Sequence, residues 1–329
     1  MTDRLPIACL GAGRMARGIA VVFAYAGHAV TIVDVKTRDP AGFTNTAHEA
    51  IGEARATLHT LAKFGLFLEA AVDQIVERIS VIREPDATHA LAGAAVIFEC
   101  VPEVLDLKRE VLARASAAAG PQPIIASTTS TILVDDLSDA VVQPQRFLNA
   151  HYLNPAFLVP LVELSPGVGT DPAVVSGLKA LLESIGKVPV VCAARPGYIV
   201  PRIQTLAMNE AARLVEEGVA SAADVDKAIK YGFGLRFAVL GLLEFIDWGG
   251  GDILYYASRY LTGALESDRY AAPEIVERNM REGRIGLKTR KGFLDYEALD
   301  IDVYRRERLE TFVKLLEHFG MMRPPVLRQ

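Results

Sequence analysis

Short apolar runs alternate with segments of helical periodicity through the first part of the chain. Runs of this length, bounded by glycine, proline or polar residues, are typical of buried strands, and helices between them predict parallel pairing. The pattern therefore predicts an α/β fold with a Rossmann-like doubly wound sheet. The predicted strands cover residues 7–10, 29–33, 79–82, 94–98, 124–126, 147–150, 161–164 and 188–191.

The stretch between the second and third predicted strands is too long for one ordinary crossover helix. It contains two helical patterns, at residues 47–64 and 69–78, separated by Phe64-Gly65-Leu66. We expect a helical pair inserted into the sheet domain at this point. Further helices are predicted at residues 19–26, 104–118 and 172–185.

Beyond the turn at residues 194–197 the pattern changes to helical periodicity alone. We therefore predict two domains, a sheet domain at residues 1–192 and an all-α domain at residues 193–329 for substrate binding and dimerisation. The apolar faces of the second domain are large enough to pair with another copy, which predicts a homodimer. Its predicted helices cover residues 199–217, 222–231, 240–247, 253–264, 273–281 and 303–319.

A glycine turn follows the first predicted strand and opens the first helix. Gly11 permits the tight turn, and Gly13 lets the backbone approach a pyrophosphate at the helix N-terminus. The second strand ends at Asp34, where a carboxylate accepts the adenosine ribose hydroxyls and repels a 2′-phosphate. The spacing predicts NAD as the cofactor. Lys36 and Arg38 are interpreted as solvated charges.

Two further polar groups follow predicted strands at the edge where such a sheet binds its ligand. Pro102-Glu103 opens a helix after the fourth strand, and five hydroxyl residues at 127–131 follow the fifth. The hydroxyl cluster is compatible with a helix-capping turn or with a substrate-facing role. His151 and Glu163, joined by an Asn-Pro turn, are candidates for a general base and the carboxylate that orients it.

Composition narrows the class of partner. The chain has 329 residues and a formal net charge of -5 without basic clusters, which argues against nucleic-acid binding and favours a small molecule. The longest uncharged run, residues 18–33, is shorter than a membrane span, and the N-terminus lacks a distinct signal segment. We expect a cytoplasmic protein without membrane attachment. The three cysteines have no metal-ligand spacing, and no metal site is expected.

Five ordered motifs resemble those of the 3-hydroxyacyl-CoA dehydrogenase family. The opening Gly-Ala-Gly-Arg-Met-Ala-Arg-Gly-Ile matches its Gly-x-Gly-x-Met-x-x-Gly-Ile, and Ser-Thr-Thr-Ser-Thr is similar to its Ser-Asn-Thr-Ser-Ser. His-Tyr-Leu-Asn-Pro with Leu-Val-Glu resembles its His-Phe-x-Asn-Pro with Leu-Val-Glu. The other two matches are Cys-Val-Pro-Glu-Val-Leu-Asp-Leu-Lys at residues 100–108 and Lys-Thr-Arg-Lys-Gly-Phe-Leu-Asp-Tyr at residues 288–296.

The resemblance implies NAD-dependent oxidation of the L-3-hydroxyl of a short-chain 3-hydroxyacyl-CoA to the 3-keto product, an activity of fatty acid metabolism. By this resemblance His151 is the catalytic base, Glu163 its partner and Ser130 the hydroxyl that binds the reacting oxygen. The implied cofactor contacts are Gly11, Gly13, Arg14, Met15, Asp34, Glu103 and Lys108, and the implied substrate contacts are Ser130, Asn154 and Arg236.

Three departures bear on the substrate. Pro201 stands where the family has asparagine, and Lys63 alone remains of a Lys-Gly-Lys between the inserted helices. Gly-Leu-Arg-Phe-Ala at residues 234–238 is similar to the gulonate dehydrogenase, lambda-crystallin and carnitine dehydrogenase branch. Arg236 could therefore clamp a free carboxylate, or it could pair with Glu244 or Asp247.

Two alternatives accompany the acyl-CoA hypothesis. The first is a dehydrogenase of a small free 3-hydroxy acid, of the gulonate or carnitine type. The second, from another class, is an NAD-binding structural protein of the crystallin type. The retention of His151, Glu163 and Ser130 together argues against the second alternative.

Overall fold

The computed structural model describes residues 4–326 of the chain. The chain divides into two compact units, residues 1–207 and residues 208–329. The domain boundary near residue 193 stays a prediction. Within the described residues, no helix combines the length and the apolar character needed to cross a membrane.

One eight-stranded sheet forms the first unit, in the order β3-β2-β1-β4-β5-β6-β7-β8. All neighbouring strands are parallel except β6 and β7, which are antiparallel. The chain leaves β1 in one direction and later returns to its other side at β4, so ligand-binding loops meet where the order reverses. The strands are β1 Ile7–Leu10, β2 Val30–Asp34, β3 Ile79–Arg83, β4 Val96–Glu99, β5 Ile124–Ser127, β6 Phe147–Tyr152, β7 Leu161–Pro166 and β8 Val188–Val191.

Helices cover both faces of this sheet, and alternate residues of each strand face opposite cores. In β1, Ile7 and Cys9 enter one buried cluster, whereas Ala8 and Leu10 enter the other. The predicted α/β class and doubly wound sheet are confirmed. The helices of this unit are α1 Arg14–Tyr25, α2 Pro40–Lys63, α3 Val72–Val76, α4 Thr88–Gly93, α5 Leu105–Ala119, α6 Val134–Ser138 and α7 Pro172–Ser184. The next helix, α8 Val200–Glu216, begins in this unit and ends in the second.

The inserted helical segment differs from the prediction in its second member. The structure has a 3₁₀ turn at Glu69–Ala71 followed by the short helix α3, in place of one helix over residues 69–78. The carbonyl of Arg78 accepts a hydrogen bond from the amide of Val30 in β2, at 2.8 Å. The chain therefore leaves the helix before Arg78 in order to enter β3.

The second unit is helical, as predicted. A π-helical turn at Ile229–Gly234 joins α9 to α10, so the helix predicted over residues 222–231 ends as an α-helix at residue 228. The helices are α9 Ala222–Ala228, α10 Leu235–Phe237, α11 Leu242–Gly249, α12 Gly251–Ala264, α13 Glu274–Arg281 and α14 Ile301–His318.

A buried carboxylate fixes the late Lys-Gly-Phe segment of this unit. Asp247 is 2% exposed and accepts hydrogen bonds from the amides of Phe293 and Leu294, at 2.9 and 2.8 Å, and from the hydroxyl of Tyr296 at 3.2 Å. A Cβ on Gly292 would lie 2.0 Å from an oxygen of Asp247. The segment needs glycine here because the backbone approaches the carboxylate directly.

We expect Gly292→Ala to destabilise the second unit by about 3 kcal/mol, because the methyl group must displace a buried, fully bonded carboxylate. The measurement is urea or thermal unfolding followed by circular dichroism. Gly263→Ala is the matched control, since a Cβ at this helical position meets nothing within 4 Å. Equal stability of the two variants would contradict the steric account.

Candidate active site

The glycine turn after β1 has the geometry that a dinucleotide pyrophosphate requires. Gly11 has φ +96°, and a Cβ there would lie 3.3 Å from the carbonyl oxygen of Cys100. Gly13 is the N-cap of α1 and no side chain caps that helix end. A Cβ on Gly13 would meet nothing within 4 Å, so the backbone amides at this helix N-terminus face open space. These residues fit a bound NAD pyrophosphate.

A cleft of about 590 Å³ at the carboxyl edge of the sheet continues from this turn. Asp34 at the end of β2 and Asn154 after β6 both line it. The structure thus brings the predicted cofactor residues together with two of the predicted substrate contacts. Those on the cleft wall are Gly11, Gly13, Arg14, Met15, Asp34, Glu103, Lys108, Ser130 and Asn154.

Arg38 corrects the interpretation of the charges that follow β2. Its Nε donates to Oδ2 of Asp34 at 2.6 Å, and the aspartate side chain is 2% exposed. Arg38 is therefore the partner of Asp34 and holds the carboxylate in place, so its interpretation as a solvated charge was wrong. Lys36 is exposed, as expected.

Lys108 lies in a buried ion pair with Glu99, a residue that the sequence analysis did not select. Its Nζ donates to both carboxylate oxygens of Glu99, at 2.9 and 3.0 Å, and to the carbonyl of Val101 at 3.1 Å. Ser127 adds a hydrogen bond to Glu99 at 2.5 Å. The pair ties the loop after β4 to α5. The available signal was a charged residue ending an otherwise apolar strand.

Glu103 organises the hydroxyl cluster after β5. Its Oε1 accepts hydrogen bonds from the hydroxyls of Thr129 and Thr131 and from the amides of Ser130 and Thr131. Partial burial raises the pKa of Glu103, but these bonds and nearby Lys108 outweigh it and lower the pKa to about 2. The cluster is thus a carboxylate-bound turn, and it leaves the Ser130 side chain exposed on the cleft wall.

His151 and Glu163 are directly opposite each other in the antiparallel pair of β6 and β7. Side chains of opposite residues lie on one face of a sheet, and here the Nδ1 of His151 is 2.7 Å from Oε2 of Glu163. Both residues are buried, at 4% and 0% exposure. The Nε2 of the ring is then the atom free to exchange a proton with a ligand.

The second oxygen of Glu163 caps the start of α8. Oε1 accepts hydrogen bonds from the amides of Ile199 and Val200, at 2.9 and 2.8 Å. Burial raises the pKa of Glu163, but the bonds from His151 and these two amides outweigh it, so the pKa lies below its ordinary value. The carboxylate is therefore ionised at neutral pH and orients the imidazole. Pro201 occupies the first turn of α8, where its missing amide hydrogen costs no helical bond.

Arg236 lies in the second unit, at the helix α10. Its guanidinium is over the ring of Phe245, 5.4 Å from the centroid. The acids considered as partners are bound elsewhere, because Glu244 pairs with Arg308 and Asp247 binds the segment at residues 293–296. Among residues 4–326, Arg236 forms no ion pair.

Family models match both parts of the chain. The NAD-binding domain of 3-hydroxyacyl-CoA dehydrogenase matches residues 6–195, and the C-terminal domain of the same enzyme matches residues 197–296. The chain belongs to the 3-hydroxyacyl-CoA dehydrogenase family. As a member of it, this protein is an NAD-dependent oxidoreductase that oxidises a hydroxyl group.

Individual relatives of this family member carry different names. Lambda-crystallin of Oryctolagus cuniculus is 32% identical over 77% of this chain and 77% of its own length. A 5-formyl-3-hydroxy-2-methylpyridine 4-carboxylate 5-dehydrogenase of Mesorhizobium japonicum is 30% identical over 93% and 96%. The structure of a 3-hydroxyacyl-CoA dehydrogenase from Archaeoglobus fulgidus has a TM-score of 0.76 and 30% identity, covering 97% of this chain and all of that one.

We expect this dehydrogenase to use NADP at least about 100-fold less efficiently than NAD, because Asp34 opposes a 2′-phosphate with a like charge. The measurement is kcat/KM for each cofactor at moderate salt. Asp34→Asn should reduce the difference in kcat/KM between NAD and NADP. Asp39→Asn is the control, since Asp39 caps α2 through the amide of Gly42. Comparable efficiency of the wild type with both cofactors would refute the prediction.

Proposed function

We propose that the protein oxidises the L-3-hydroxyl of a short-chain 3-hydroxyacyl-CoA, of the size of 3-hydroxybutyryl-CoA, to the 3-keto product. The observation that carries this proposal is the buried pair of His151 and Glu163, 2.7 Å apart, at the edge of the sheet that also forms the cofactor cleft. A hydrogen-bonded imidazole and carboxylate are the groups needed to remove a hydroxyl proton. The family relationship supports the hydroxyacyl substrate.

In the proposed reaction, Nε2 of His151 takes the proton of the substrate hydroxyl while the C3–H bond breaks. Glu163, which stays ionised, stabilises the imidazolium that forms. Ser130 donates a hydrogen bond to the reacting oxygen, and Asn154 contributes to substrate binding from the same cleft. NAD, when bound, supplies the hydride acceptor. The protein supplies orientation and exclusion of water.

His151→Ala should lower kcat by at least about 100-fold and leave NAD affinity within about twofold, because the base acts on the substrate and not on the cofactor. Steady-state rates and cofactor titration by fluorescence measure the two effects. More than about a tenth of wild-type activity in this variant would contradict the assignment of the base.

Glu163→Gln is the conservative companion variant. Its amide oxygen can still accept bonds from Ile199 and Val200, so the start of α8 is preserved. We expect it to lower kcat, because with its oxygen on these two amides its side-chain NH2 group donates to Nδ1 of His151 and favours the tautomer that carries the proton on Nε2. The acidic limb of the pH profile should also move to lower pH, because the protonated imidazole loses its counter-charge. An unmoved acidic limb would show that Glu163 does not act through His151.

A small free 3-hydroxy acid is the second candidate substrate, and three observations favour it. Arg236 is exposed and its acidic neighbours are bound elsewhere, so its guanidinium can meet a carboxylate. The turn after α2, where related coenzyme-A enzymes have lysines, exposes Phe64 and Leu66 at 69% and 52%. Only Lys63 remains there for a coenzyme-A phosphate. The Mesorhizobium relative is named for a free carboxylate.

Initial rates with 3-hydroxybutyryl-CoA and with free 3-hydroxybutyrate distinguish the candidates. If the acid is the substrate, Arg236→Lys should raise its KM by about tenfold with a smaller change in kcat, the effect of lost uniform binding. Arg259→Lys is the matched control, because Arg259 also lies 5.4 Å from an aromatic ring. The free-acid candidate is eliminated if only the thioester is turned over and if Arg236→Lys leaves KM and kcat unchanged.

The crystallin-type alternative requires no turnover. A protein selected for bulk alone does not need a buried imidazole paired with a carboxylate or a Ser130 presented on the cleft wall, although the cap that Glu163 forms on α8 would still be useful to it. NAD binding without oxidation of either substrate would favour this alternative.

We also propose that the protein forms a homodimer through its second unit. Ile253, Tyr256 and Tyr260 lie on one face of α12 at helical spacing and are 61%, 61% and 72% exposed. Exposed apolar stripes of this kind mark protein interfaces.

Light scattering at micromolar concentration should give the mass of two chains. Tyr260→Glu should reduce the measured mass to that of one chain, because it places a charge in the apolar stripe. Tyr25→Glu, at an exposed site at the end of α1, is the control. A monomeric wild type would refute the dimer.

A further inference from the structure

Tyr198 covers one face of the imidazole of His151. The two rings are nearly parallel, with an interplanar angle of 17° and centroids 5.1 Å apart. Tyr198 is itself buried, at 6% exposure. The imidazole is thus held in its plane by the stack and at its Nδ1 edge by Glu163.

The hydroxyl of Tyr198 joins the two elements that carry the proposed base and the proposed substrate hydroxyl. It donates to the carbonyl of Thr129 at 3.0 Å and accepts from the side-chain amide of Asn149 at 3.0 Å. Asn149 is two residues before His151 in β6, on the same face, and Thr129 precedes Ser130. Through one oxygen atom, the turn that bears Ser130 is bonded to the strand that bears His151.

The backbone of Tyr198 is held in an unfavourable conformation. Its φ is +44°, in the left-handed region that a bulky residue rarely adopts, and it follows Gly197 at φ +75°. The next two amides, of Ile199 and Val200, bind Glu163. Backbone and side chain of this short segment therefore contact both members of the pair. Such a conformation persists only where surrounding contacts determine it.

We propose that Tyr198 is a positioning residue for the dehydrogenase reaction, whose ring fixes the plane of His151 and whose hydroxyl fixes the distance between His151 and the turn of Ser130. The inference rests on the proposed role of His151 as base. It assigns separate tasks to the two parts of one side chain, and two variants separate them. Tyr198→Phe keeps the ring and removes the hydroxyl, whereas Tyr198→Leu removes both.

Tyr198→Phe should lower kcat by about tenfold, the size of effect expected from one lost hydrogen bond to the substrate turn, with less than a twofold change in NAD affinity. Tyr198→Leu should lower kcat further, because the ring that fixes the plane of His151 is lost together with the hydroxyl.

Nuclear magnetic resonance of the ring protons of His151, assigned by their loss in His151→Gln, tests the stack without substrate. The ring-current shift should persist in Tyr198→Phe and disappear in Tyr198→Leu. Tyr25→Phe is the control for a tyrosine outside the site. If wild type turns over neither substrate, the proposed function fails while this spectrum still decides the stack.

The proposal is overturned if both Tyr198 variants keep wild-type kcat and an unchanged His151 spectrum. It is also overturned if activity falls only in proportion to the folded fraction measured by circular dichroism, since that is the effect of a merely structural core tyrosine.

Discussion

The antiparallel pairing of β6 with β7 is the constraint on which the candidate site depends. It is the single reversal of direction in the described sheet, and it places His151 opposite Glu163 on one buried face. A parallel neighbour would require a long crossover and would leave the two side chains without a shared register position. Glu163 then serves two structures at once, because one oxygen orients the imidazole and the other begins α8. The imidazole and the helix are therefore fixed by the same carboxylate.

Charged groups fix the remaining loops before any ligand arrives. Glu99 and Lys108 neutralise each other in the interior and hold the loop after β4. Glu103 accepts hydrogen bonds from the amides of the turn after β5 and so fixes its conformation. Removing one member of such a buried pair would leave an uncompensated charge, so each loop has little freedom to rearrange. The site is preorganised, which reduces the conformational entropy lost when substrate and cofactor bind.

The sequence predicted the strands well because each is an apolar run between polar breaks, and it predicted His151 with Glu163 because a turn joins two adjacent strands. The sequence did not predict which charged residues pair with each other in the folded protein. Glu99 and Arg38 acquire their roles from residues that only the folded sheet and the loops at its edge bring near, and neither has a distinctive local pattern. Tyr198 was missed for the same reason, since stacking on His151 joins residues far apart in the chain. The helix predicted over residues 69–78 was too long, because helical periodicity does not show that the carbonyl of Arg78 bonds to the amide of Val30 in the sheet.

The close approach of Gly292 to Asp247 marks a motif that serves protein stability, and this motif differs in kind from one that lies exposed at the cleft. The Lys-Gly-Phe segment binds the buried Asp247 and contributes to the stability of the second unit, so natural selection for a stable protein is enough to maintain it. Ser130 lies exposed on the cleft wall, and folding places little demand on its side chain. A descendant recruited as a bulk structural protein would therefore keep the first motif and be free to lose the second. Loss of Ser130, rather than of Gly292, would be the mark of such a change of role.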